Sequence, residues 1–311
     1  MRVALVVSRA VVLESFGGPE VLEVREVQEP HADSGRIRVR VAAAGLNPMD
    51  WIITANEQIA SAFGLSLPVG FGHDYAGVVD EVGDGVIGFA VGDRVYGGAL
   101  GRAVADYVIV DPASDEARHT PQGVDDMTAS TLDVAARTAD AALAAIDVAE
   151  GDIVLVGGAA GGVGVFAVQL ARLAGAKVIG TASQRSFDFL RSLGAEPVVY
   201  GDGLAERVRA LVPGGITAAT DLFGTETAYA ALELGVPAER VSTIAARDPE
   251  LTAKAVGGRD AAPGTLERIA ELVAGGRLTV PIEASYPIER IHDAVTFQAA
   301  RHLNGKVVIT F

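Results

Sequence analysis

Cysteine is absent from the 311 residues of this chain. Disulfide bonds and thiolate chemistry are therefore excluded, and a zinc site would have to be assembled from histidine and carboxylate side chains. The histidines are few and show no paired metal-ligand spacing; they are His31, His73, His119, His292 and His302. We therefore predict that the protein holds no metal ion.

Basic residues are also scarce. The chain has 25 Lys and Arg against 40 Asp and Glu, which gives a formal net charge of -15. An acidic surface repels the phosphate backbone of nucleic acids, and no local basic patch in the sequence offsets this repulsion. We therefore predict no nucleic-acid partner.

Long apolar runs are missing as well. The N-terminal segment is apolar after Arg2, but Ser8 and Arg9 end it far short of a signal-peptide core or a membrane span. These patterns predict no membrane partner and a cytoplasmic protein.

The residues that are present predict a folded chain of about two domains, since half of them are hydrophobic and 21% are charged. The first half alternates apolar and polar residues, as in Ile37–Ala42, and predicts an antiparallel, barrel-like β domain. Further strands are predicted at Val69–Val82, Gly88–Tyr96 and Tyr107–Val110, and a helix at Thr128–Ala145. Strands at Pro197–Tyr200, Ala219–Phe223 and Arg240–Ala245, each preceded by helical patterning, predict a doubly wound α/β sheet.

A glycine-rich turn between a strand and a helix is the strongest motif. Ile153–Val156 is an apolar strand, a helix begins near Val165 and ends before Gly175, and a second strand covers Lys177–Thr181. In dinucleotide-binding turns, small residues allow the backbone to approach a pyrophosphate, and the helix N-terminus offers free N–H groups to it. Ala159, Gly161 and Gly164 occupy those positions. The predicted cofactor-binding residues of the turn are Gly158, Ala159, Ala160, Gly161, Gly162, Val163 and Gly164.

The end of the second strand favours NADPH over NADH. An NAD site usually places a carboxylate there to hold the ribose hydroxyls, about 20 residues after the turn. This chain instead has Ser183 and Arg185, and its first carboxylate is Asp188. Ser183 can equally cap the following helix, and Arg185 can equally be a solvated surface charge. Phe223 and Ile244 end later strands at the ligand-binding edge of such sheets, although Phe223 is also expected in the core.

Several longer motifs resemble one family. They are LESFGGPEVLEV, AAGLNPMDW, GHDYAGVVDEVG, GDRVYG, GGAAGGVG and the terminal GKVVITF. Together they resemble the zinc-free quinone oxidoreductase branch of the medium-chain dehydrogenase/reductase superfamily. The resemblance implies a GroES-like β-barrel catalytic domain (residues 1–127 and 263–311), with a Rossmann domain (residues 128–262) inserted and the active cleft between them.

The resemblance also implies a reaction and residues for it. Family members use NADPH to reduce quinones, enones or related activated alkenes. Asn47 matches the family asparagine near the nicotinamide, and Thr138 matches a threonine of the helix at the domain junction. Trp51 follows Asn47 and either lines the pocket for a flat acceptor or fills the interdomain core. Asn47 can equally cap the helix after it, and the Thr138 hydroxyl can equally bond back to the preceding turn.

The chain departs from the family pattern at three places. Residues 1–9 precede the usual start and are either an extension of the first strand or a leader. His73 matches a zinc-ligand position of zinc-dependent relatives, but the cysteine ligands are missing, so we expect His73 to be packed and hydrogen-bonded. Residues 255–264 replace an apolar edge strand that pairs subunits in relatives, which leaves the homodimer open.

Three functions fit these motifs. The first is an NADPH-dependent, zinc-independent reductase that transfers hydride to a quinone or an α,β-unsaturated carbonyl. The second is an enoyl reductase of a biosynthetic, polyketide-like pathway, which uses the same hydride step. The third is a non-catalytic NADPH-binding sensor. We expect solvent to supply the proton, because no side chain in the sequence stands out as a catalytic acid.

Overall fold

The computed structural model describes residues 7–246, 248–301 and 303–311. The strands described are β1 (Val7–Leu13), β2 (Glu23–Gln28), β3 (Ile37–Leu46), β4 (Val69–Gly70), β5 (Asp74–Val82), β6 (Arg94–Gly98), β7 (Tyr107–Val110), β8 (Glu116–His119), β9 (Ile153–Gly157), β10 (Lys177–Ala182), β11 (Glu196–Val199), β12 (Ala218–Asp221), β13 (Val241–Thr243), β14 (Lys254–Ala255), β15 (Ile282–Pro287) and β16 (Lys306–Thr310). The α-helices described are α1 (Pro48–Thr54), α2 (Glu57–Ala62), α3 (Asp126–Ala129), α4 (Asp133–Ala144), α5 (Gly164–Leu173), α6 (Phe187–Ser192), α7 (Leu204–Leu211), α8 (Glu226–Glu233), α9 (Thr265–Ala274) and α10 (Ile291–Ala299).

The first half of the chain and its C-terminal end together build the barrel domain. One sheet has the order β15-β16-β3-β5-β6-β8, with β7 paired to β3, and a smaller sheet has the order β2-β1-β4. The pairs are antiparallel as predicted, except that β15 and β16 run parallel. Because β3 pairs with β16, the two ends of the chain share one sheet.

Two strand predictions in the barrel domain need correction. The segment Gly88–Tyr96 is a strand only from Arg94, because Gly88 and Gly92 take left-handed backbone angles (φ 89° and 98°) that make the preceding residues a turn. Val69–Val82 is interrupted between β4 and β5, where Gly72 has φ 83°. Glycine adopts such backbone angles without steric cost, so the chain turns at each of these positions and the strand does not continue through it.

The nucleotide-binding half is a parallel sheet with helices on both faces. Its strand order is β11-β10-β9-β12-β13-β14, which is that of a Rossmann sheet. Central strands are buried throughout, as in β12, whose four residues are all buried. The predicted α/β fold class, with a β-barrel part and a doubly wound parallel sheet, is therefore confirmed.

The helix predicted at Thr128–Ala145 is two helices, α3 and α4. Between them the hydroxyls of Ser130 and Thr131 donate to the carbonyls of Met127 and Thr128, at 2.8 Å and 2.7 Å. Such local bonds compete with the helical ladder and favour a break. The break places the buried helix α4 at the junction, where it contacts β6 of the barrel as well as α5 and α9.

The edge strand β14 has only two residues, both exposed, and it ends at the start of the segment 255–264 where a weak edge was expected. At the other end of the chain, residues 7–9 begin β1, and residues 1–6 lie outside the described residues. Within the described part, no helix has the length and apolar character needed to cross a membrane.

Candidate cofactor-binding and active site

The glycine turn after β9 brings helix α5 close to the strand. A Cβ on Gly164 would overlap the carbonyl oxygens of Gly158 and Ala159, so only glycine allows this approach. Gly158 itself has φ 65°. The turn is pinned to β10, where the Gly158 N–H donates to the Thr181 hydroxyl at 3.1 Å. This cradle fits the diphosphate of a dinucleotide, which would lie against the N-terminus of α5.

The residues predicted to select NADPH follow β10 directly. Ser183 is half-buried and Arg185 is exposed. The alternative role of Ser183 as a side-chain cap is wrong, because its hydroxyl makes no capping hydrogen bond to the short 3-10 helix that it precedes. A phosphate role for the two side chains stays a prediction.

Phe223 lies just beyond the end of β12, and its predicted place in the core is wrong, since it is 58% exposed. The loop is ordered by Asp221, whose Oδ1 accepts from the N–H groups of Phe223 and Gly224 at 3.0 Å and 2.8 Å. A Cβ on Gly158 would contact the Phe223 Cβ at 3.2 Å, so Phe223 lies beside the turn. Ile244 follows β13 and is half-buried.

Asn47 is held in a buried network on the barrel side. Its Oδ1 accepts from the Lys306 Nζ at 2.6 Å, and its Nδ2 donates to Asp74 Oδ2 at 3.0 Å. Its backbone N–H donates to the Asp50 carboxylate in the first turn of α1, at 2.8 Å. The orientation of the Asn47 amide is therefore fixed from both ends.

Lys306 belongs to the same buried network, and it was not identified from the sequence. It is 2% exposed, and its ammonium group also donates to the Leu46 carbonyl at 3.0 Å. A Cβ on Gly162 would lie 3.1 Å from the Lys306 Cδ, and the Gly305 N–H donates to the Ala160 carbonyl at 2.8 Å. Lys306 thus spans the distance from the glycine turn to Asn47. The sequence offered one indication of this burial, because Lys306 is the only charged residue of an otherwise apolar strand.

Two acids of this network are hard to ionise. Burial raises the pKa of Asp50 to about 7. Burial also raises the pKa of Asp74, to about 6, against the opposing charge of Lys306. Burial in turn lowers the pKa of Lys306, although both acids favour its charged form. Each protonation state here therefore depends on the others.

His73 links the barrel to helix α4. Its Nε2 lies 2.9 Å from Asp133 Oδ2, and Arg137 donates to the other oxygen of Asp133 at 2.8 Å. Burial lowers the pKa of His73, but the hydrogen bond to Asp133 and the surrounding acids outweigh it and raise the pKa to about 9. The packed and hydrogen-bonded state expected for His73 is confirmed.

The side chains around His73 include three that carry metal-ligand atoms. One atom each of His73, Asp74 and Asp133 lies within 4.8 Å of the others, so the three can in principle surround a metal ion. However, Asp133 already binds His73 and Arg137, and Asp74 already accepts from Asn47. Zinc would have to displace cationic partners and would find no thiolate. The donor set does not fit a zinc centre.

The remaining two candidates are Trp51 and Thr138. The Trp51 indole N–H donates to Gln298 Oε1 of α10 at 3.0 Å, and the ring is half-buried. Thr138 on α4 is 7% exposed, and a Cβ on Gly258 would lie 3.2 Å from its hydroxyl oxygen. Thr138 thus lies on the junction helix, whereas Trp51 is bonded to a helix of the barrel domain, and the roles of Asn47, Trp51 and Thr138 toward a ligand stay predictions.

An open groove of about 610 Å³ lies elsewhere. It is lined by Ile153, Lys177 and Glu196, the first residues of β9, β10 and β11. Open α/β sheets bind ligands at the opposite, carboxyl edge of their strands. We therefore exclude this groove from the candidate site.

Known families match both halves of the chain. Residues 33–122 match the alcohol dehydrogenase GroES-like domain, and residues 162–257 match the zinc-binding dehydrogenase domain. Among solved structures, the quinone oxidoreductase from Coxiella burnetii superposes with a TM-score of 0.85 at 26% identity, covering 98% of this chain and 100% of that one. The CurK enoyl reductase superposes with a TM-score of 0.86 at 25% identity, covering 97% and 99%.

Curated proteins with similar sequences include quinone and alkenal/one oxidoreductases. The pig (Sus scrofa) quinone oxidoreductase is 36% identical over 54% of this chain and 50% of its own length. The chloroplastic NADPH-dependent alkenal/one oxidoreductase of Arabidopsis thaliana is 28% identical over 97% of this chain and 79% of its own length. The spectinabilin polyketide synthase system protein NorB of Streptomyces orinoci is 34% identical over 89% of this chain. The chain spans half of the pig enzyme and 13% of NorB.

The parallel sheet with its glycine turn and the barrel around Asn47 are the two parts that these family models describe, a GroES-like part and a dehydrogenase part. The chain belongs to the quinone oxidoreductase branch of the medium-chain dehydrogenase/reductase superfamily.

Proposed function

We propose that this protein catalyses the NADPH-dependent reduction of a quinone or an α,β-unsaturated carbonyl without zinc. One observation carries the proposal, namely that Gly305 and Lys306 join the glycine turn to the buried Asn47 amide. A dinucleotide on the turn would therefore reach the barrel residues at the junction. When bound, NADPH supplies the hydride.

The chain's own residues position the reactants. The N-terminus of α5 and the glycine turn bind the diphosphate. Lys306 and Asp74 keep the Asn47 amide in one orientation, which suits a group that orients the nicotinamide or the acceptor. Trp51 offers a flat face to a flat acceptor, and Thr138 borders the nicotinamide. The proton comes from solvent.

Zinc independence is supported by the charge pairing at His73. Its partner Asp133 is 2% exposed and is also bound by Arg137. A cation at this place would meet an imidazolium and a guanidinium rather than free ligands.

NADPH preference is supported by Ser183 and Arg185 after β10, where no carboxylate stands. We expect Arg185→Ala to weaken NADPH binding by about 1.5 to 3 kcal/mol, the magnitude of a hydrogen bond to a charged group, and to leave NADH binding nearly unchanged. Fluorescence titration with both cofactors measures this difference. Tighter binding of NADH than of NADPH by the wild-type protein would contradict the preference.

A second function, an enoyl reductase of a polyketide-like pathway, is favoured by two likenesses. NorB is by name a polyketide synthase system protein, and CurK is an enoyl reductase whose structure superposes over nearly the whole chain. The hydride step is the same, so the acceptor decides between the two functions.

The deciding experiment follows NADPH oxidation at 340 nm after addition of quinones, enones and enoyl thioesters, with NADH in parallel. Turnover of quinones or enones supports the first function, and turnover confined to enoyl thioesters supports the second. Tight NADPH binding with no turnover of any acceptor would favour the sensor and refute both. A cytoplasmic location and the homodimer remain predictions, and gel filtration with light scattering tests the latter.

A further inference from the structure

Arg301 lies between two aromatic rings that belong to different domains. Its guanidinium carbon is 5.6 Å from the centre of the Trp51 ring on α1 of the barrel domain. It is also 4.9 Å from the centre of the Phe223 ring, which follows β12 of the Rossmann sheet. A guanidinium over an aromatic face is attracted by the ring quadrupole. Arg301 therefore bridges the boundary at which Asn47 and Thr138 also lie.

Both rings are held in place by other groups. The Trp51 indole is anchored by Gln298, which is 5% exposed and lies on α10 three residues before Arg301. The Phe223 backbone is anchored by Asp221. Arg301 follows the end of α10 with φ 54°, in the left-handed region. The position of the guanidinium is thus determined by α10 on one side and by the β12 loop on the other.

The guanidinium has hydrogen-bond donors to spare. Within the described part of the chain it makes no side-chain hydrogen bond and no ion pair, and the residue is exposed. Other arginines hold carboxylates, such as Arg38 with Asp80 and Arg94 with Asp126. In a chain of net charge -15, a cation with unshared donors at the domain boundary is a local attraction for anions. Its planar fork suits carboxylate and phosphate oxygens.

We propose that Arg301 recognises the acceptor, and that the acceptor therefore carries an anionic group, a carboxylate or a phosphate, in addition to its reducible bond. This proposal rests on the proposed reductase function. The acceptor is the favoured source of the anion because the diphosphate already has the α5 N-terminus, whereas the Arg301 guanidinium lies against Trp51, the ring assigned to a flat acceptor.

A matched pair of acceptors tests this. The probes are trans-3-benzoylacrylate and its methyl ester, which share the enone and differ in charge. We expect Arg301→Met to lower kcat/KM for the carboxylate by about 10- to 100-fold, which corresponds to one charge-assisted hydrogen bond. The value for the ester is expected to stay within about threefold. Arg301→Lys keeps the charge without the fork and is expected to fall between Arg301→Met and the wild type.

The control is Arg290→Met. Arg290 also stacks on an aromatic ring, with its guanidinium carbon 5.3 Å from the centre of Tyr286, but it is already paired with Asp293 at 2.8 Å. The Arg290→Met variant loses one positive charge from the same C-terminal segment. It is expected to leave the ratio of kcat/KM for the carboxylate to kcat/KM for the ester unchanged. Melting curves of the variants separate folding from recognition.

The outcomes are distinct. A selective loss for the carboxylate supports the proposal. An equal loss for both probes, no loss for either, or a loss explained by weaker binding of both NADPH and NADH would overturn it, the last by assigning Arg301 to the cofactor diphosphate. Failure of the proposed function is recognised separately. In that case the wild-type protein would not oxidise NADPH in the presence of the carboxylate, the ester or neutral quinones.

Discussion

Replacing Lys306 by Met is the most informative perturbation of the buried network. The ammonium group donates to Asn47 Oδ1 at 2.6 Å and to the Leu46 carbonyl at 3.0 Å. Methionine has a similar length and no charge, so Lys306→Met removes both hydrogen bonds while it keeps most of the packing against Gly162. The change therefore isolates the polar contribution of the lysine.

The expected loss of stability depends on pH. Each buried acceptor left without a donor costs about 1 to 3 kcal/mol, and relief from burying an ammonium offsets part of this. Lys306 also lowers the pKa values of Asp74 and Asp50, which are about 6 and about 7. At pH 5 both acids are protonated and neutral in the folded protein, so the positive charge of Lys306 does not stabilise them. At pH 8 both are ionised, and each unit by which a pKa rises costs about 1.4 kcal/mol.

We therefore expect Lys306→Met to lose about 1 to 3 kcal/mol more at pH 8 than at pH 5. Urea unfolding of the variant and the wild type at both pH values measures the difference. Lys177→Met is the control, because Lys177 is exposed at the start of β10. Equal losses at the two pH values would show that Lys306 does not compensate the two acids, and no loss at either would remove it from the network altogether.

Three further predictions concern the turn, His73 and zinc. Gly164→Ala is expected to lower NADPH affinity at least about tenfold in a fluorescence titration, because the new Cβ overlaps the Gly158 carbonyl, whereas Gly214→Ala, in open space, leaves it unchanged. The pKa of His73 is raised from 6.5 to about 9, so its stabilising contribution is complete below pH 6.5 and is lost as the pH rises through 9. His73→Gln is thus expected to destabilise by about 3 kcal/mol at pH 6 and by less at pH 9.5 in urea unfolding, and a pH-independent loss would refute an ionic role. Dialysis against a strong chelator is expected to leave NADPH oxidation unchanged, and loss restored by zinc would overturn zinc independence.

Local patterns made the glycine turn predictable. Strand, turn and helix follow one another within about 20 residues, and the steric demand for glycine at Gly158 and Gly164 acts inside that segment. The family motifs made the barrel domain predictable as well. Phe223 was misplaced in the core because an apolar residue after a buried strand looks like part of it, whereas Asp221 turns the chain outward there.

The hydrogen-bond network around Asn47 could not be predicted from local sequence patterns. Lys306 is 259 residues from Asn47, and Asp133 is 60 residues from His73. No periodicity or spacing connects positions so far apart, and an isolated lysine before an apolar strand looks like an ordinary strand end. The split between α3 and α4 was missed for a different reason, since the hydroxyl bonds of Ser130 and Thr131 override a helical composition.

The pairing of β16 with β3 has a consequence for the order of assembly. Leu46 faces Val307 in this ladder, so the sheet that carries Asn47 lacks a neighbour until the last strand arrives. The Rossmann sheet draws its strands from one continuous stretch of chain and can form while the C-terminal segment is still being synthesised. Closure of the barrel must instead join segments of very high sequence separation, which is entropically costly and slow. The part of the barrel that carries Asn47 is therefore completed only after the strands of the Rossmann sheet have been synthesised.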